Sequence, residues 1–218
     1  MNIRLFFLIL ITISSSALFA EIENPYQKKH FKSENKSMIA FDNSYFDSIE
    51  CKRYDFNTKL KRQAFQIMDE LEGWCTYQKA SILIDFVLMA RPQIIVEIGV
   101  FGGKSFVPMA LALREIGAGV AYGIDPWSSG ESVQGMEGPN KEYWSNVDHD
   151  AILRGLQEKI KKHGLENQIQ LIRSTSIDAP SIFNIDILHI DGNHSDETSF
   201  IDVTKWVPLV RRGGVNYL

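Results

Sequence analysis

The sequence has little of three features that mark common protein classes: cysteine, excess basic charge and long apolar segments. It contains two cysteines, Cys51 and Cys75, and no cysteine and histidine spacing of the kind that binds zinc. The formal net charge is −4, so the basic face of nucleic-acid-binding proteins is not expected. Beyond residue 20, no segment is apolar enough to cross a bilayer. We therefore expect neither a zinc-binding nor a nucleic-acid-binding protein.

The first 20 residues have the pattern of a secretory signal peptide. Arg4 precedes an apolar run that carries no charge before Glu21, and small residues lie near a plausible cleavage point. The apolar span, residues 5–20, is shorter than the roughly 20 residues that a bilayer core requires, which favours export over a membrane anchor. We therefore expect a periplasmic or secreted protein, or a cytoplasmic one if this segment is not functional.

After the signal peptide, residues 21–60 show no periodicity and are interpreted as an irregular lead-in, and residues 61–218 as one domain. Apolar positions at helical spacing predict two helices ahead of the first strand, interrupted near Gly73. The β-branched run "QIIVEIG" predicts a buried strand, and Pro108 places the start of the next helix near Ser105, because proline is tolerated only in a first turn. Residues 128–149, rich in glycine and polar side chains, are interpreted as a loop.

Strands and helices alternate through the rest of the chain. The predicted elements are the strands "VAYGID", "IQLIR" and "IDILHID" and the helices "AILRGLQEKIKKHG" and "DETSFIDVTKWV". This order predicts an α/β fold: a Rossmann-like, doubly wound sheet with parallel strands and right-handed crossovers. Ligands of such sheets bind beyond the carboxyl ends of the strands, where strand order reverses. The unusual polar residues follow strand ends, so we expect one crevice to collect them.

The stretch "IIVEIGVFGGKS" does not fit two familiar phosphate-binding motifs. A P-loop needs a glycine where Ile98 stands, and the dinucleotide fingerprint needs one where Phe101 stands. Glu97 suits a cationic ligand better than a phosphate, and Asp125, at the end of the second strand, is placed to accept hydrogen bonds from ribose hydroxyls. These features favour S-adenosylmethionine, which has a ribose and a sulfonium but no phosphate.

The ordered motifs resemble those of a known family. "VEIGVFGGKS", "GIDPW" and "DILHIDGNHSDETSFIDVTKWVPLVRRGG" are similar to the successive motifs of class I S-adenosylmethionine-dependent methyltransferases. The nearest group is the small-molecule O-methyltransferases of the family-24 type, which carry D-G-x-H after the fourth strand. The resemblance covers about residues 70–218. It implies a methyltransferase that transfers the methyl group to a small-molecule acceptor, at a hydroxyl oxygen.

The resemblance also implies the site residues. In the cofactor site, Glu97, Gly99, Gly102 and Gly103 would line the methionine and ribose, Ser105 would cap the helix behind them, Asp125 would bind the ribose hydroxyls, Trp127 would flank the adenine, and Ser176 and Asp178 would lie at its edge. In relatives, the aspartate matching Asp191 helps hold a divalent cation such as Mg²⁺, and the histidine matching His194 acts as general base.

Relatives continue after "GG" into a strand with further metal-binding acids, whereas this sequence ends at "GGVNYL". The resemblance thus implies an incomplete C-terminal part, without the last strands, and an incomplete metal site. We expect magnesium to add little to activity; Asp196 or Glu197 would complete the site if it does. A degenerate, non-catalytic protein that serves as a binding module is the alternative, and a nucleotide-binding oxidoreductase is a weaker one.

Several residues have structural interpretations that remain open. Asp125 could cap a loop, Asn193 or Ser195 could be a helix N-cap, and His194 could be an ordinary polar residue of the same turn. Asp202 is interpreted as structural or solvated. Cys51 and Cys75 either pair or remain thiols. The sequence does not name the methyl acceptor or decide between a monomer and a homo-oligomer.

Overall fold

The computed structural model describes residues 58–193 and 195–217. The predicted signal peptide, the lead-in as far as residue 57, Cys51 and His194 lie outside the described residues. The described part belongs to one compact unit, which runs from Lys52 to Leu218.

The element order confirms the predicted alternation of strands and helices. The helices are α1 (Thr58–Met68), α2 (Tyr77–Ala90), α3 (Phe106–Ile116), α4 (Ser129–Ser132), α5 (Gly138–Asn146), α6 (His149–Lys162) and α7 (Asp196–Trp206), with a 3-10 turn at Val207–Leu209. The strands are β1 (Ile94–Ile98), β2 (Val120–Asp125), β3 (Ile169–Arg173), β4 (Ile185–Ile190) and β5 (Val210–Tyr217).

The five strands form one parallel sheet in the order β3-β2-β1-β4-β5. The expected neighbours β1 and β4 pair, with Ile95 opposite Ile187. Strand order reverses between β1 and β4, so the crevice beyond their carboxyl ends is the expected ligand position. This sheet confirms the predicted Rossmann-like fold.

The helix boundaries follow from local chemistry. Thr76 caps α2 by accepting a hydrogen bond from Lys79 N at 3.1 Å. The helix ends at Ala90, and the next residue, the left-handed Arg91, directly precedes Pro92. Pro108 lies in the first turn of α3, where its missing amide leaves no bond unmade. Residues 106–113 of α3 are all buried, because this helix packs between the sheet and the two N-terminal helices.

The opposite face of the sheet packs on α7. Trp206, at the end of α7, is fully buried in a cluster with Val96, Leu188 and Ile190, and its indole donates to Ser176 O at 3.2 Å. The edge strand β5 pairs with β4 through a register shift between Ile185 and Ile187. Helices thus cover both faces, as a doubly wound sheet requires.

The loop expected over residues 128–149 is wrong in part, because α4 and α5 lie within it. Neither helix buries a residue, so neither has an apolar stripe for periodicity to detect. Pro139 stands at the start of α5, where proline is tolerated.

Across the described ranges, no helix combines the length and the apolar character needed to cross a bilayer.

Candidate active site

The carboxyl ends of β1, β2 and β4 are joined by backbone hydrogen bonds. Gly99 N donates to Ile124 O at 2.9 Å, and Asp191 N donates to Ile98 O at 2.8 Å. These bonds bring the residues after the three strands to one edge of the sheet. Glu97, Asp125 and Asp191, which lie far apart in the sequence, therefore share this edge.

The glycine turn packs tightly against its neighbours. Gly99 and Gly103 have positive φ angles, +84° and +83°, which residues other than glycine rarely adopt. A Cβ at Gly99 would lie 2.3 Å from Asp191 O, and one at Gly102 would lie 2.5 Å from Glu72 O. These glycines allow the turn to approach both the end of β4 and the α1–α2 connection.

Glu97 is fully buried within the sheet layer. Its Oε1 accepts a hydrogen bond from Ser105 Oγ at 2.6 Å, and its Oε2 lies 3.1 Å from Nδ1 of His189, which is also fully buried. The ring of Tyr217 stacks on His189 with a centroid distance of 4.4 Å. Burial raises the pKa of Tyr217 well above its usual range, and Glu97 adds to the effect.

Ser105 is the N-cap residue of α3, but its side chain does not make the capping hydrogen bond that such a residue usually makes. Ser105 has helical backbone angles and makes no side-chain cap hydrogen bond, because a capping hydroxyl needs an extended backbone to reach the free amides. Its hydroxyl instead donates to Glu97. The Ser105 side chain thus orients the Glu97 carboxylate and does not cap the start of α3.

Asp125 connects the end of β2 to the glycine turn. Its Oδ2 accepts from Phe101 N at 2.9 Å and its Oδ1 from Trp127 N at 2.7 Å. Burial raises the pKa of Asp125, and the backbone donors oppose that shift. Asp125 therefore caps this loop, and its role toward a ribose stays a prediction. A carboxylate has about four lone-pair sites, so acceptor capacity remains for a ribose hydroxyl.

Trp127 lines a cavity beside Asp125. The indole Nε1 donates to Phe101 O at 2.9 Å, and Arg173 donates to Trp127 O at 3.0 Å. The cavity has a volume of about 320 Å³. Its lining consists of Trp127, Ser128, Ser129, Val147, Asp148, His149, Asp150 and Arg173.

Ser176 and Asp178, which follow β3, do not line this cavity. Ser176 Oγ donates to the carboxylate of Asp202, and Asp178 Oδ2 accepts from Thr175 Oγ1 at 2.6 Å. Asp202 is buried, so it is structural rather than solvated. The assignment of Ser176 and Asp178 to the adenine edge stays a prediction.

Asp191 follows β4 and is partly exposed. Its Oδ2 lies 3.5 Å from Lys79 Nζ and 3.9 Å from His189 Nε2. In the part of the chain that the structure describes, no group of three or more His, Cys, Asp or Glu residues could hold a metal ion. Mg²⁺ requires a near-octahedral shell of oxygen ligands, and the described residues around Asp191 do not fit that requirement.

The residues after Asp191 secure the entrance to α7. Ser195 Oγ accepts from Thr198 N at 3.4 Å, so Ser195 is the N-cap. Asn193 Nδ2 donates to Gln134 O at 2.8 Å, which ties the segment before α5 to the end of β4. The open choice between these two caps is thereby decided for Ser195. The general-base role of His194 stays a prediction, since that residue lies outside the described ranges.

Sequence reasoning missed an aromatic cluster beside the glycine turn. Phe101 stacks on Trp74 at 5.4 Å and meets Trp144 edge-on at 5.3 Å, while Tyr143 lies 5.4 Å from Trp144. It also missed Lys79, which helical spacing alone assigns to a solvated helix surface. The only signal in the sequence was the presence of aromatic residues at positions 74 and 143–144.

The fold and the arrangement of this crevice define a class I methyltransferase-like domain. Residues 96–217 match the family model described as a methyltransferase domain, family 24. The chain belongs to this family. No curated protein gives a significant match to the sequence.

Solved structures share the fold at low sequence identity. An O-methyltransferase from Bacillus cereus in complex with SAH is 16% identical, with a TM-score of 0.51 over 80% of this chain and 70% of that one. TomG from Streptomyces achromogenes, an O-methyltransferase of tomaymycin synthesis in complex with SAM, is 19% identical, with a TM-score of 0.50 over 80% and 69%. SAH-bound PaMTH1 from Podospora anserina is 14% identical, with a TM-score of 0.49 over 72% of this chain, and the match spans 60% of its length.

Proposed function

We propose that this protein transfers a methyl group from S-adenosylmethionine to a hydroxyl oxygen of a small molecule. One observation carries the proposal: the Asp125 carboxylate is held at the end of β2 against the glycine turn by the amides of Phe101 and Trp127. An acid in this position of a doubly wound sheet suits the two hydroxyls of a ribose. Membership of the methyltransferase family and the SAM- and SAH-bound relatives support the same ligand.

The charges at the crevice also support S-adenosylmethionine over a phosphate-bearing ligand. Glu97, Asp125 and Asp191 place carboxylates at the ends of β1, β2 and β4. Such a site attracts a ligand with a sulfonium and an amino group and repels a pyrophosphate. This argues against the nucleotide-binding oxidoreductase.

S-adenosylmethionine supplies a methyl group on a cationic sulfonium, and transfer to oxygen breaks the carbon–sulfur bond and leaves a neutral thioether. The protein positions the two reactants and accepts the hydroxyl proton. We assign proton acceptance to His194, three residues after Asp191 in the sequence, and cofactor positioning to Asp125 and the turn from Gly99 to Gly103. The acceptor would enter from the side of the α1–α2 connection, where Trp74 and Lys79 are exposed.

Calorimetric titration of S-adenosylmethionine tests the proposal. We expect measurable binding by the wild type and a roughly 10- to 100-fold weaker Kd for Asp125→Ala, because a hydrogen bond to a charged group contributes about 1.5–3 kcal/mol. Asp125→Asn, which keeps an acceptor for one backbone amide, should weaken binding less. Asp85→Asn is the matched control, since Asp85 pairs with Lys61 of α1 and not with the glycine turn.

Absence of binding by a wild-type protein with a cooperative thermal transition would contradict the proposal. An unchanged Kd in Asp125→Ala would leave Asp125 as a loop cap only. Binding without transfer of radiolabelled methyl to any hydroxylated acceptor would favour the non-catalytic binding module.

A further inference from the structure

We propose that Lys79 supplies the positive charge beside Asp191, so that methyl transfer at this site uses a lysine ammonium where relatives use a divalent cation. The inference rests on the proposed function. It names a catalytic residue on α2, an element that precedes the residues matched by the family model. Its basis is the position of Lys79, the charges around it and the ligand set that Asp191 offers.

The position of Lys79 links α2 to the reactive edge of the sheet. Its Nζ lies 3.5 Å from Asp191 Oδ2, and the backbone of Asp191 packs against Gly99 of the glycine turn. The two side chains are 44% and 39% exposed, so a ligand in the crevice can reach both. An acceptor oxygen near the cofactor would therefore meet this ammonium.

Neither helix stability nor protein stability explains a lysine at this position. Lys79 is the third residue of α2, and the helix dipole favours acidic residues in a first turn and disfavours basic ones. An ion pair this exposed contributes at most about 1 kcal/mol. A residue that opposes local preference is expected at a functional site.

The electrostatic surroundings show why a cation is needed here. Burial raises the pKa of Cys75 to about 11; Lys79 and Lys104 oppose the shift, whereas Glu97 and Asp191 increase it. All four charged groups therefore act on the Cys75 thiol, and Lys79 and Asp191 also contact each other. Carboxylates alone would disfavour the negative charge that develops on an acceptor oxygen as it loses its proton.

A lysine ammonium meets that need without a metal shell. It has three donors, so it can hold Asp191 and still donate to the acceptor oxygen, stabilising that oxygen as its proton passes to the general base of the proposed function. Its charge at the Asp191 carboxylate also repels a divalent cation, because like charges about 4 Å apart cost at least about 1 kcal/mol even in water.

The test is a titration of Mn²⁺ into the full-length protein with SAH present, followed by the electron paramagnetic resonance signal of free Mn²⁺. We expect no specific binding by the wild type. Lys79→Glu should gain one site, because it removes the repelling charge and places a second carboxylate near Asp191. This variant should fold, since glutamate suits the first turn of a helix.

The matched control is Lys162→Glu, which also replaces an exposed lysine, here one that lies 2.6 Å from Glu70. The double variant Lys79→Glu, Asp191→Asn should lose the new site. Wild-type Mn²⁺ binding that disappears in Asp191→Asn would overturn the proposal, and so would equal gains in Lys79→Glu and Lys162→Glu or no gain in either.

Turnover provides a second measurement, with catechol as the probe acceptor and SAH as the measured product. Lys79→Gln should lower kcat about 100-fold, the usual effect of removing one donor that stabilises developing negative charge, while its calorimetric Kd for SAH stays unchanged. Lys79→Arg should restore part of the rate, and EDTA should not affect the wild type. Inhibition of the wild type by EDTA would overturn the proposal. If the wild type does not methylate catechol, the Mn²⁺ titration alone decides the proposal. Failure of SAH to bind would contradict the proposed function instead.

Discussion

Gly99 lies where hydrogen bonds join the carboxyl ends of β1, β2 and β4. Its amide bonds to Ile124 of β2, and its Cα faces the carbonyl of Asp191 and the backbone of Gly192. The neighbouring Phe101 is also left-handed, with φ +50°, and hydrogen bonds to Asp125 and Trp127 hold its amide and its carbonyl. Backbone strain at this turn is thus maintained by contacts from the other strand ends.

Replacement of Gly99 by alanine should destabilise the protein strongly. The new Cβ would lie 2.3 Å from Asp191 O at a φ of +84°, and a left-handed residue alone costs about 1–3 kcal/mol. We expect the free energy of unfolding in urea to fall by at least that amount.

Gly155→Ala in α6 is the matched control, because a Cβ there meets nothing within 4 Å. Alanine in a helix is favoured over glycine by roughly 0.5–1 kcal/mol, so this variant should be slightly more stable than the wild type. A Gly99→Ala protein as stable as the wild type would show that the end of β4 can move away from the turn.

The sequence predicted those residues of the site that directly follow the end of a strand. Asp125 and Asp191 follow strands that the sequence shows clearly, and the sheet brings them together. Ser105 and Lys79 were not predictable, because their partners Glu97 and Asp191 are specified by side-chain directions in the folded protein. Sequence spacing placed Ser105 at a helix start but did not show that its hydroxyl points toward the sheet.

Glu70, just beyond α1, connects the N-terminal helices to α6. Its Oε2 lies 2.6 Å from Lys162 Nζ and 2.9 Å from Lys159 Nζ. Hydrogen bonds from Lys162 and Lys159 lower the pKa of Glu70 to about 2. The pair of lysines lies in the last turn of α6, where basic residues also complement the helix dipole.

This link predicts a pH dependence of stability. A carboxyl whose pKa is lowered by folding stabilises the protein above its unfolded pKa, near 4.3, and that stabilisation is lost as pH falls through the folded value of about 2. Glu70→Gln should therefore destabilise the protein at pH 7 and make its stability less dependent on pH between about 5 and 2. Urea unfolding of both proteins across this range measures the effect.

Glu166→Gln is a suitable comparison, since Glu166 lies in the exposed turn before β3. If Glu70→Gln and the wild type lose stability in parallel on acidification, the contacts between Glu70 and α6 contribute nothing.

Elements differ in how well their sequences specify them. The strands β1 to β4 and the helix α3 are apolar runs of the right length, and all were predicted within a few residues. The helices α4 and α5 were missed, because neither buries a residue; α5 is held by contacts of Tyr143 and Trp144 with Trp74. Its stability depends on tertiary contacts rather than on its own sequence pattern.

The compact unit from Lys52 to Leu218 contains the whole sheet and its covering helices. We expect residues 52–218, expressed alone, to unfold cooperatively with a Tm within about 4 °C of the full chain, the shift that roughly 1 kcal/mol produces in a domain of this size. Differential scanning calorimetry of the two proteins makes the comparison. A broad or absent transition in the shorter protein would show that preceding residues contribute to its core.

The fold of the whole molecule was more predictable than its site, for a physical reason. Alternating strands and helices with right-handed crossovers allow few doubly wound arrangements, and the order β3-β2-β1-β4-β5 is one of them. Side-chain pairs such as Glu97 with His189 depend on register and packing across strands, which no local pattern records. The expected metal site is an example, because the sequence showed Asp191 but only the structure showed Lys79 beside it.

The contact between Gly99 and Asp191 also concerns the order of events during folding. Its two residues are separated by most of the domain's sequence, and parallel strands with such distant partners form slowly. The crevice therefore exists only after β4 has docked beside β1, when the polypeptide through α7 has been synthesised. In pulse-labelled hydrogen exchange, protection of the Asp191 amide, which donates to Ile98 O, should appear late, so that acquisition of the ligand site marks completion of the sheet.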